Sequence, residues 1–404
     1  MKLAHLADLH LGFRQYERMA AGGVNQRELD VEVTFARVID CVIETAPDVV
    51  VVAGDLVHSP RPSTNAILAL EDGFARLTES LPRAIIVVAA GNHDLSKTIG
   101  DKCILLSLKR FGVHVADRAA VRFYFADRDL SVLAVPDAPG LVRPPLSPDS
   151  RARFNALCLH GEVQGAKQGG AEHRVSTVEI TRDELGADAW TWCAFGHYHQ
   201  FEQLAPNAAY SGSIDYTSSN IWQEIRTPKG FVLVDLETRD LQFVEVAPAR
   251  PAVDLSPIDA TELGAADVDA KILEATEGSA VPIDDAIVRL RISGITRETS
   301  HALDQKQLRA IKRRALNFHM VEDRPARISP TSAAFVRAMN RRSVDERVKD
   351  NLSTRSLAGD VDRDRLVALG AEYLAKAGES ELAKSTTAVT ELAAITTTEQ
   401  RKSA

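Results

Sequence analysis

The side chains best suited to chemistry in this 404-residue chain fall into five short clusters. In order they are Asp8-Leu9-His10, Gly54-Asp55, Gly91-Asn92-His93-Asp94, His160-Gly161 and Gly196-His197-Tyr198-His199. Aspartate, asparagine and histidine are oxygen and nitrogen donors, and no cysteine joins them. Such a set suits Mn, Fe or Zn in a working site more than a structural zinc. Seven side chains, Asp8, His10, Asp55, Asn92, His160, His197 and His199, are too many for one ion and suit two. Two ions need a shared carboxylate, and the lone Asp55 of the second cluster fits that place. Ions paired about 3.5–4 Å apart hold a phosphate and activate water for in-line attack, so the indicated chemistry is phosphoester hydrolysis.

Taken singly, these residues carry little weight. Any one of eleven histidines is more often packed or solvated than a ligand, and His5, His114, His173, His301 and His319 are read that way. A lone Gly-Asp or His-Gly is common. The signal lies in order and place: each cluster closes a short apolar run.

The runs cover residues 3–7, 48–54, 84–91, 130–136, 154–161 and 190–197, and their length and β-branched content suit buried strands. In a strand, residues i and i+2 point the same way. Asp8 with His10, and His197 with His199, are therefore expected to act as pairs along strand ends. Ligands gathered at the C-terminal ends of neighbouring strands converge on one rim of a sheet. The adjoining glycines allow sharp turns and close approach. Between the runs lie helix-like stretches. Residues 26–45 place Leu29, Val33, Phe35, Val38, Ile39, Val42 and Ile43 at near-helical spacing. Residues 63–81 follow Ser63 or Thr64 as N-cap. This alternation predicts an α/β or α+β sandwich over residues 1–250, closed by a hairpin at 231–236 and 241–246. A Pro-containing linker at 247–253 leads to a smaller α/β unit at 254–335, with a helix at 266–276, a strand at 285–294 and a basic helix at 303–315. A helical tail, 343–404, follows with helices at 343–352 and 362–377. From Glu379 its Thr, Ala and Ser content suits weak helix or disorder.

Composition sets limits. Apolar residues at 45% support a real core. The formal net charge of −8 argues against a uniformly basic surface, while leaving room for a local basic patch or for the charge of bound metal. Cys41, Cys103, Cys158 and Cys193 form no CxxC pair and read as buried, reduced thiols of a cytoplasmic protein. No apolar stretch reaches the roughly 18 residues of a membrane span.

The pattern D-x-H, G-D, G-N-H-D, H, G-H-x-H resembles the signature of the calcineurin-like metallophosphoesterases. The resemblance implies a four-layer sandwich, two central sheets flanked by helices. It also implies that Asp8, His10, Asp55 and His199 hold one ion, while Asp55, Asn92, His160 and His197 hold the other. His93 then looks like the group that protonates or stabilises the leaving oxygen, with Asp94 or another residue as its partner. Within that superfamily, DLHLG (8–12), GDLVHSPRPS (54–63) and YSGSIDYTS (210–218) with KGFVLVDL (229–236) are similar to segments of SbcD-type nucleases. By this likeness His58 lies near the scissile phosphate and Arg61 contacts the DNA backbone.

Residues 306–342 hold ten basic side chains, including Lys312, Arg313 and Arg314, against Glu322 and Asp323 alone. Such a strip can neutralise phosphates, or can be a solvated face. The family's nuclease works with an SMC-like ATPase gripped through C-terminal helices. Residues 343–377, with Leu352, Leu357, Val361, Leu366, Leu369 and Leu374, are the candidates here. It also forms homodimers, for which the helices at 63–81 and 102–111 are candidates. The expectation is a Mn2+-dependent, nucleoid-associated exonuclease on double-stranded DNA, 3′ to 5′, with endonuclease activity on single strands or hairpins. Polarity and substrate follow from the resemblance alone. A phosphodiesterase or phosphatase for small molecules, and a DNA-binding scaffold without catalysis, are the alternatives.

Overall fold

The structure, a computed structural model, describes residues 1–323 except 97, 99, 167–175 and 219, together with Arg365 and Ala368, both helical. His173, the basic residues from Arg324 to Arg342, the apolar tail positions and almost all of the expected tail helices lie outside the described residues.

The first sheet runs β14 (Leu241–Glu245), β13 (Gly230–Asp235), β1 (Lys2–Leu6), β2 (Val49–Ala53), β3 (Ile85–Ala89) and β4 (His114–Ala116). β1 to β4 are parallel, and β13 closes antiparallel on β1. The second runs β11 (Glu202–Ala205), β12 (Ala208–Tyr210), β10 (Trp192–Gly196), β7 (Phe154–His160), β6 (Leu130–Val135) and β5 (Val121–Phe125). Its four inner strands are parallel and both edges antiparallel. Every residue of β2 and β7 is buried, as a strand covered on both faces requires.

The alternation of side chains builds three apolar layers. Leu3, Val49, Val51 and Val87 of the first sheet meet Val132, Ala156, Cys158 and Trp192 of the second. On the first sheet's other face, Val50, Val52, Ile86 and Val88 meet Phe35, Val38 and Val42 of α1 (Gln26–Thr45) and Leu70 and Phe74 of α2 (Thr64–Ser80). Asn25 and Ser63 cap these helices by accepting from the backbone N–H of Arg27 and Ala66. The second sheet's outer face packs on thinner cover. That cover comprises the parallel pair β8 (Glu162–Val163) and β9 (Glu179–Ile180), the one-turn α3 (Arg182–Leu185) and Trp190. The four-layer sandwich is therefore present, with full helices on one flank and short elements on the other. The segment expected as a helix at 102–111 is 3-10 helix over Ile104–Phe111.

Beyond the one-turn α4 (Ile221–Glu224) and the β13–β14 hairpin, the smaller unit has its own sheet and core. β15 (Ala252–Asp254) and β16 (Ile258–Asp259) pair along one side of β17 (Ile287–Ser293), and β18 (Asn317–Asp323) pairs along the other, all parallel. α5 (Ala265–Glu277) and α7 (Gln305–Arg314) bury Val268, Ile272, Leu308 and Ile311 on it, and α6 (Arg297–His301) lies between β17 and α7 in sequence. Ala252 and Val253, placed in the linker by sequence, already belong to this sheet. β18 was hidden because its run, Asn317 to Asp323, is too polar to stand out.

A buried charge cluster ties α1 to the loop after β12 and to the chain entering the smaller unit. Arg27, fully buried, donates to Asp215 Oδ1 at 2.8 Å, Asp30 Oδ2 at 3.2 Å and the Tyr216 carbonyl at 2.9 Å. Asp30 also takes both ends of Arg250, at 2.5 and 2.8 Å. Removing one partner strands the other as a buried charge. Arg27→Met is therefore expected to cost about 3–5 kcal/mol, read from the guanidinium chloride midpoint. Arg27→Met/Asp215→Asn should recover part of that loss; a double variant no better than the single one refutes the account.

Candidate metal centre

The strands stop short of the clusters. β1 ends at Leu6, and Asp8 and His10 follow in left-handed backbone, with φ of 52° and 49°. β10 ends at Gly196, and His197 has φ 106°. The expected i, i+2 pairing along a strand is thus replaced by turns. The Asp8 and His10 N–H groups donate to the Gly54 and Asp55 carbonyls at 3.0 and 2.9 Å, which lays the first cluster along the second. Asp55 is itself left-handed, φ 54°. Non-glycine residues held in this region cost energy and concentrate at functional sites. Two glycines permit the crowding. A Cβ on Gly54 (φ +88°) would lie 2.2 Å from the His160 ring, and one on Gly91 2.1 Å from Asp55 Oδ1.

All five clusters meet at one rim. His10 Nε2 lies 3.0 Å from His199 Nε2 and 3.8 Å from Asp55 Oδ2. His160 Nε2 lies 3.4 Å from Asp55 Oδ2 and 3.1 Å from Asn92 Oδ1. His160 Nδ1 sits 2.7 Å from the Ala53 carbonyl, which fixes its proton there and turns Nε2 inward. The Asp8 carboxylate accepts the His197 N–H on both oxygens at 3.1 Å. His197 Nε2 stands 3.4 Å from Glu162 Oε1, an acid that carries no motif in the sequence. Three groups bring their donor atoms within 4.8 Å of one another: Asp8, His10 and His199; Asp8, Asp55 and His160; and His10, His58 and His93. Two imidazole nitrogens facing each other at 3.0 Å, beside two buried carboxylates, form a donor set that fits divalent ions.

The electrostatics agree. Burial pushes the Asp8 carboxyl up to about 6, with the Asp55 charge adding to the rise and His160 and His199 opposing it. Asp55 is held well below the carboxylate range: burial opposes its charge, but His160 and its neighbours outweigh burial. The same contact raises His160 to about 10 against the pull of burial. Burial and the neighbouring His199 push His10 well down. These groups compensate one another only in part, and a cation among them would relieve what is left.

His93 donates its backbone N–H to Asp55 Oδ1 at 2.8 Å, and its Nδ1 sits 2.8 Å from the His58 carbonyl. Its ring packs edge-on to His10, 4.9 Å between centroids, and His58 completes the cluster with Nδ1 3.3 Å from His10 Nδ1. Asp94 is not its partner. The Asp94 carboxylate turns back to accept the N–H groups of Val57 (2.9 Å) and Gly91 (2.8 Å). Burial and Asp55 raise it to about 7. It shapes the turn, and the His58 carbonyl takes the place expected for it.

Two further residues brace His199. Glu224 Oε1 lies 3.3 Å from His199 Nδ1, and Lys229 Nζ donates to Glu224 Oε2 at 2.6 Å. Lys229 falls inside the KGF segment, but Glu224 has no motif and is found only through the fold. Arg61 is 87% exposed and lies 3.5 Å from Asp101. On α7, Lys312 and Arg313 are exposed. Arg314 instead forks onto Asp284 with two 2.9 Å bonds and reaches Glu277 at 2.5 Å, so its charge is already neutralised. That removes it from the expected phosphate contacts.

The calcineurin-like phosphoesterase family model matches residues 1–201. By that match, the sandwich and the rim of clustered donors, residues 1–201 belong to a calcineurin-like phosphoesterase domain. It is 40% identical over 99 residues to the DNA double-strand break repair protein Mre11 of Methanococcus maripaludis, 24% of each chain. It is 27% identical over 250 residues to the protein of that name from Methanocaldococcus jannaschii, 61% of this chain and 65% of the relative. To the SbcD component of the nuclease SbcCD from Staphylococcus epidermidis it is 26% identical over 285 residues, 64% of this chain and 72% of the relative. The chain thus spans less than two thirds of the length of the two Mre11 relatives.

Because Asp8 is raised from 3.8 to about 6, folding disfavours its charged form, and its effect is to lower metal-free stability as pH rises through that window. In EDTA at about pH 7.5, Asp8→Asn is therefore expected to melt at or above the wild-type temperature. It should also lose the rise in melting temperature expected when a divalent cation is added to the wild type. A metal-free melting temperature well below wild type contradicts this reading of the site.

Proposed function

We propose that this protein is a two-metal DNA nuclease that acts in double-strand-break repair. The convergence of His10, His160, Asn92 and His199 around Asp55 carries the reading, and the names of the relatives supply the substrate class. Asp8, His10, Asp55 and His199 would hold one ion, and Asp55, Asn92, His160 and His197 would hold the other. Two bound divalent ions, Mn2+ in this proposal, would supply positive charge for the phosphate oxygens and acidity for the attacking water. The chain's own residues do the rest. As an imidazolium, His93 gives the Nε2 proton to the leaving oxygen, while the His58 carbonyl accepts Nδ1–H and steadies the cation. The His58 side chain borders the phosphate position.

The same proposal extends to architecture. Residues 1–250 form the nuclease domain, 254–335 a capping domain that holds DNA, and 343–404 the region that docks an SMC-like ATPase. Lys306, Arg309, Lys312 and Arg313 line the outer face of α7 and suit phosphate contacts, as does the exposed Arg61, three residues beyond His58. Exonuclease action, 3′ to 5′, on duplex ends, endonuclease action on single strands or hairpins, and a homodimer belong to this reading. No helix among the described residues is long and apolar enough to cross a membrane.

The deciding experiment is cleavage of end-labelled linear duplex DNA with Mn2+, beside bis-p-nitrophenyl phosphate. Release of labelled short nucleotides, abolished in Asp55→Ala, is expected. His93→Ala should keep DNA and Mn2+ binding while cutting about 100- to 10,000-fold more slowly. Wild-type cleavage by His93→Ala would sink the assigned role. Hydrolysis of the small diester with intact DNA would favour a small-molecule phosphodiesterase instead.

A further inference from the structure

We propose that Glu224 and Lys229 are a buried positioning pair for the His199 imidazole, and that α4 transmits the seating of the smaller unit to this ligand. The inference rests on the metal reading above. Glu224 is 3% exposed and Lys229 2%. Lys229 Nζ spends all three protons inside the protein, on Glu224 Oε2 (2.6 Å), Ser213 Oγ (2.7 Å) and the His199 carbonyl (2.9 Å). Glu224 Oε1 accepts the Ser218 N–H at 2.9 Å and faces His199 Nδ1 at 3.3 Å. Thr217 Oγ1 also lies 3.4 Å from Nδ1. With Nδ1–H turned to this carboxylate and hydroxyl, His199 presents its Nε2 lone pair toward His10 Nε2. A buried ion pair is weak evidence of stability alone, because its desolvation offsets its attraction. A carboxylate behind a ligand histidine fixes the tautomer and ring angle, and losing it typically weakens metal binding about 10- to 100-fold.

The carrier of Glu224 is a single helical turn, too short to hold itself. Its other face supplies the anchor. Ile221, 1% exposed, and Trp222 pack with Ile287, Leu316 and Ala252 of the smaller unit. The Arg289 guanidinium lies over the Trp222 ring at 4.6 Å. The four residues of α4 thus link a contact on β17 to a ligand at the rim.

The test is Mn2+ binding by the full chain, followed by calorimetry and by loss of the free-ion EPR signal. Glu224→Gln/Lys229→Met keeps shape and removes both charges together. It should weaken one of two Mn2+ sites about 10- to 100-fold and spare the other. Glu224→Gln, which keeps an acceptor for Nδ1–H, should weaken it less than Glu224→Ala. Trp222→Ala, outside the hydrogen-bonded pair, should weaken the same site about 2- to 30-fold. It carries the test should the charge variants fail to fold. Wild-type affinity in these variants, or equal loss at both sites with a fallen melting temperature, overturns the proposal while leaving the metal reading intact. Absence of Mn2+ binding by the wild type, indistinguishable from Asp55→Ala, overturns both.

Discussion

A single carboxylate that cannot satisfy all its neighbours at once organises this protein. Asp55 is buried, carries a left-handed backbone, accepts the His93 N–H and stands within 3.8 Å of His10 and 3.4 Å of His160. To bring that about, two six-stranded sheets must press together, with Ala7, Ala53, Ala89 and Ala194 among the side chains between them. Gly196 makes the limit visible: a Cβ there would fall 1.8 Å from the Ala53 carbonyl. The strands are the scaffold that pushes the loops into contact. The loops absorb the strain, since Asp8, His10, Asp55 and His197 all take positive φ.

Much of this was legible in the sequence. The strand runs and both long helices follow from apolar periodicity, and the range 26–45 matches α1 residue for residue. The clusters were legible because each follows a buried strand, so topology alone draws them to one rim. The local geometry was not. The i, i+2 rule of strands does not apply to Asp8 and His10, because the chain has already left the strand at Leu6. Sequence adjacency suggested Asp94 for His93, yet a carboxylate three residues after Gly91 can fold back onto that turn's N–H. A count of charges cannot see that Arg314 is occupied by Asp284 and Glu277.

The polar residues missed by sequence share one property: their partners come from elsewhere in the fold. Glu224 and Arg27 would each read as a solvated charge, as would Lys229 outside the KGF segment. Burial turns them into positioning groups, because a buried charge must be met by another at fixed distance. Arg27 does this between α1 and Asp215, and Glu224 does it between α4 and His199. The loop that carries Asp215 leads within ten residues to α4, so both ion networks hold the same stretch of chain.

The net charge of −8 bears on how such a protein can approach a polyanion. Beyond roughly 8–10 Å, salt screens a diffuse surface charge, so the local field matters more than the total. The exposed face of α7 places Lys306, Arg309, Lys312 and Arg313 together, with its acidic partners spent on Arg314. Two divalent cations at the rim would further offset Asp8 and Asp55, the acids nearest a bound phosphate. A DNA strand would then meet positive charge at the centre and along one helix, against an acidic remainder. Such a surface favours engagement at a defined place over uniform coating.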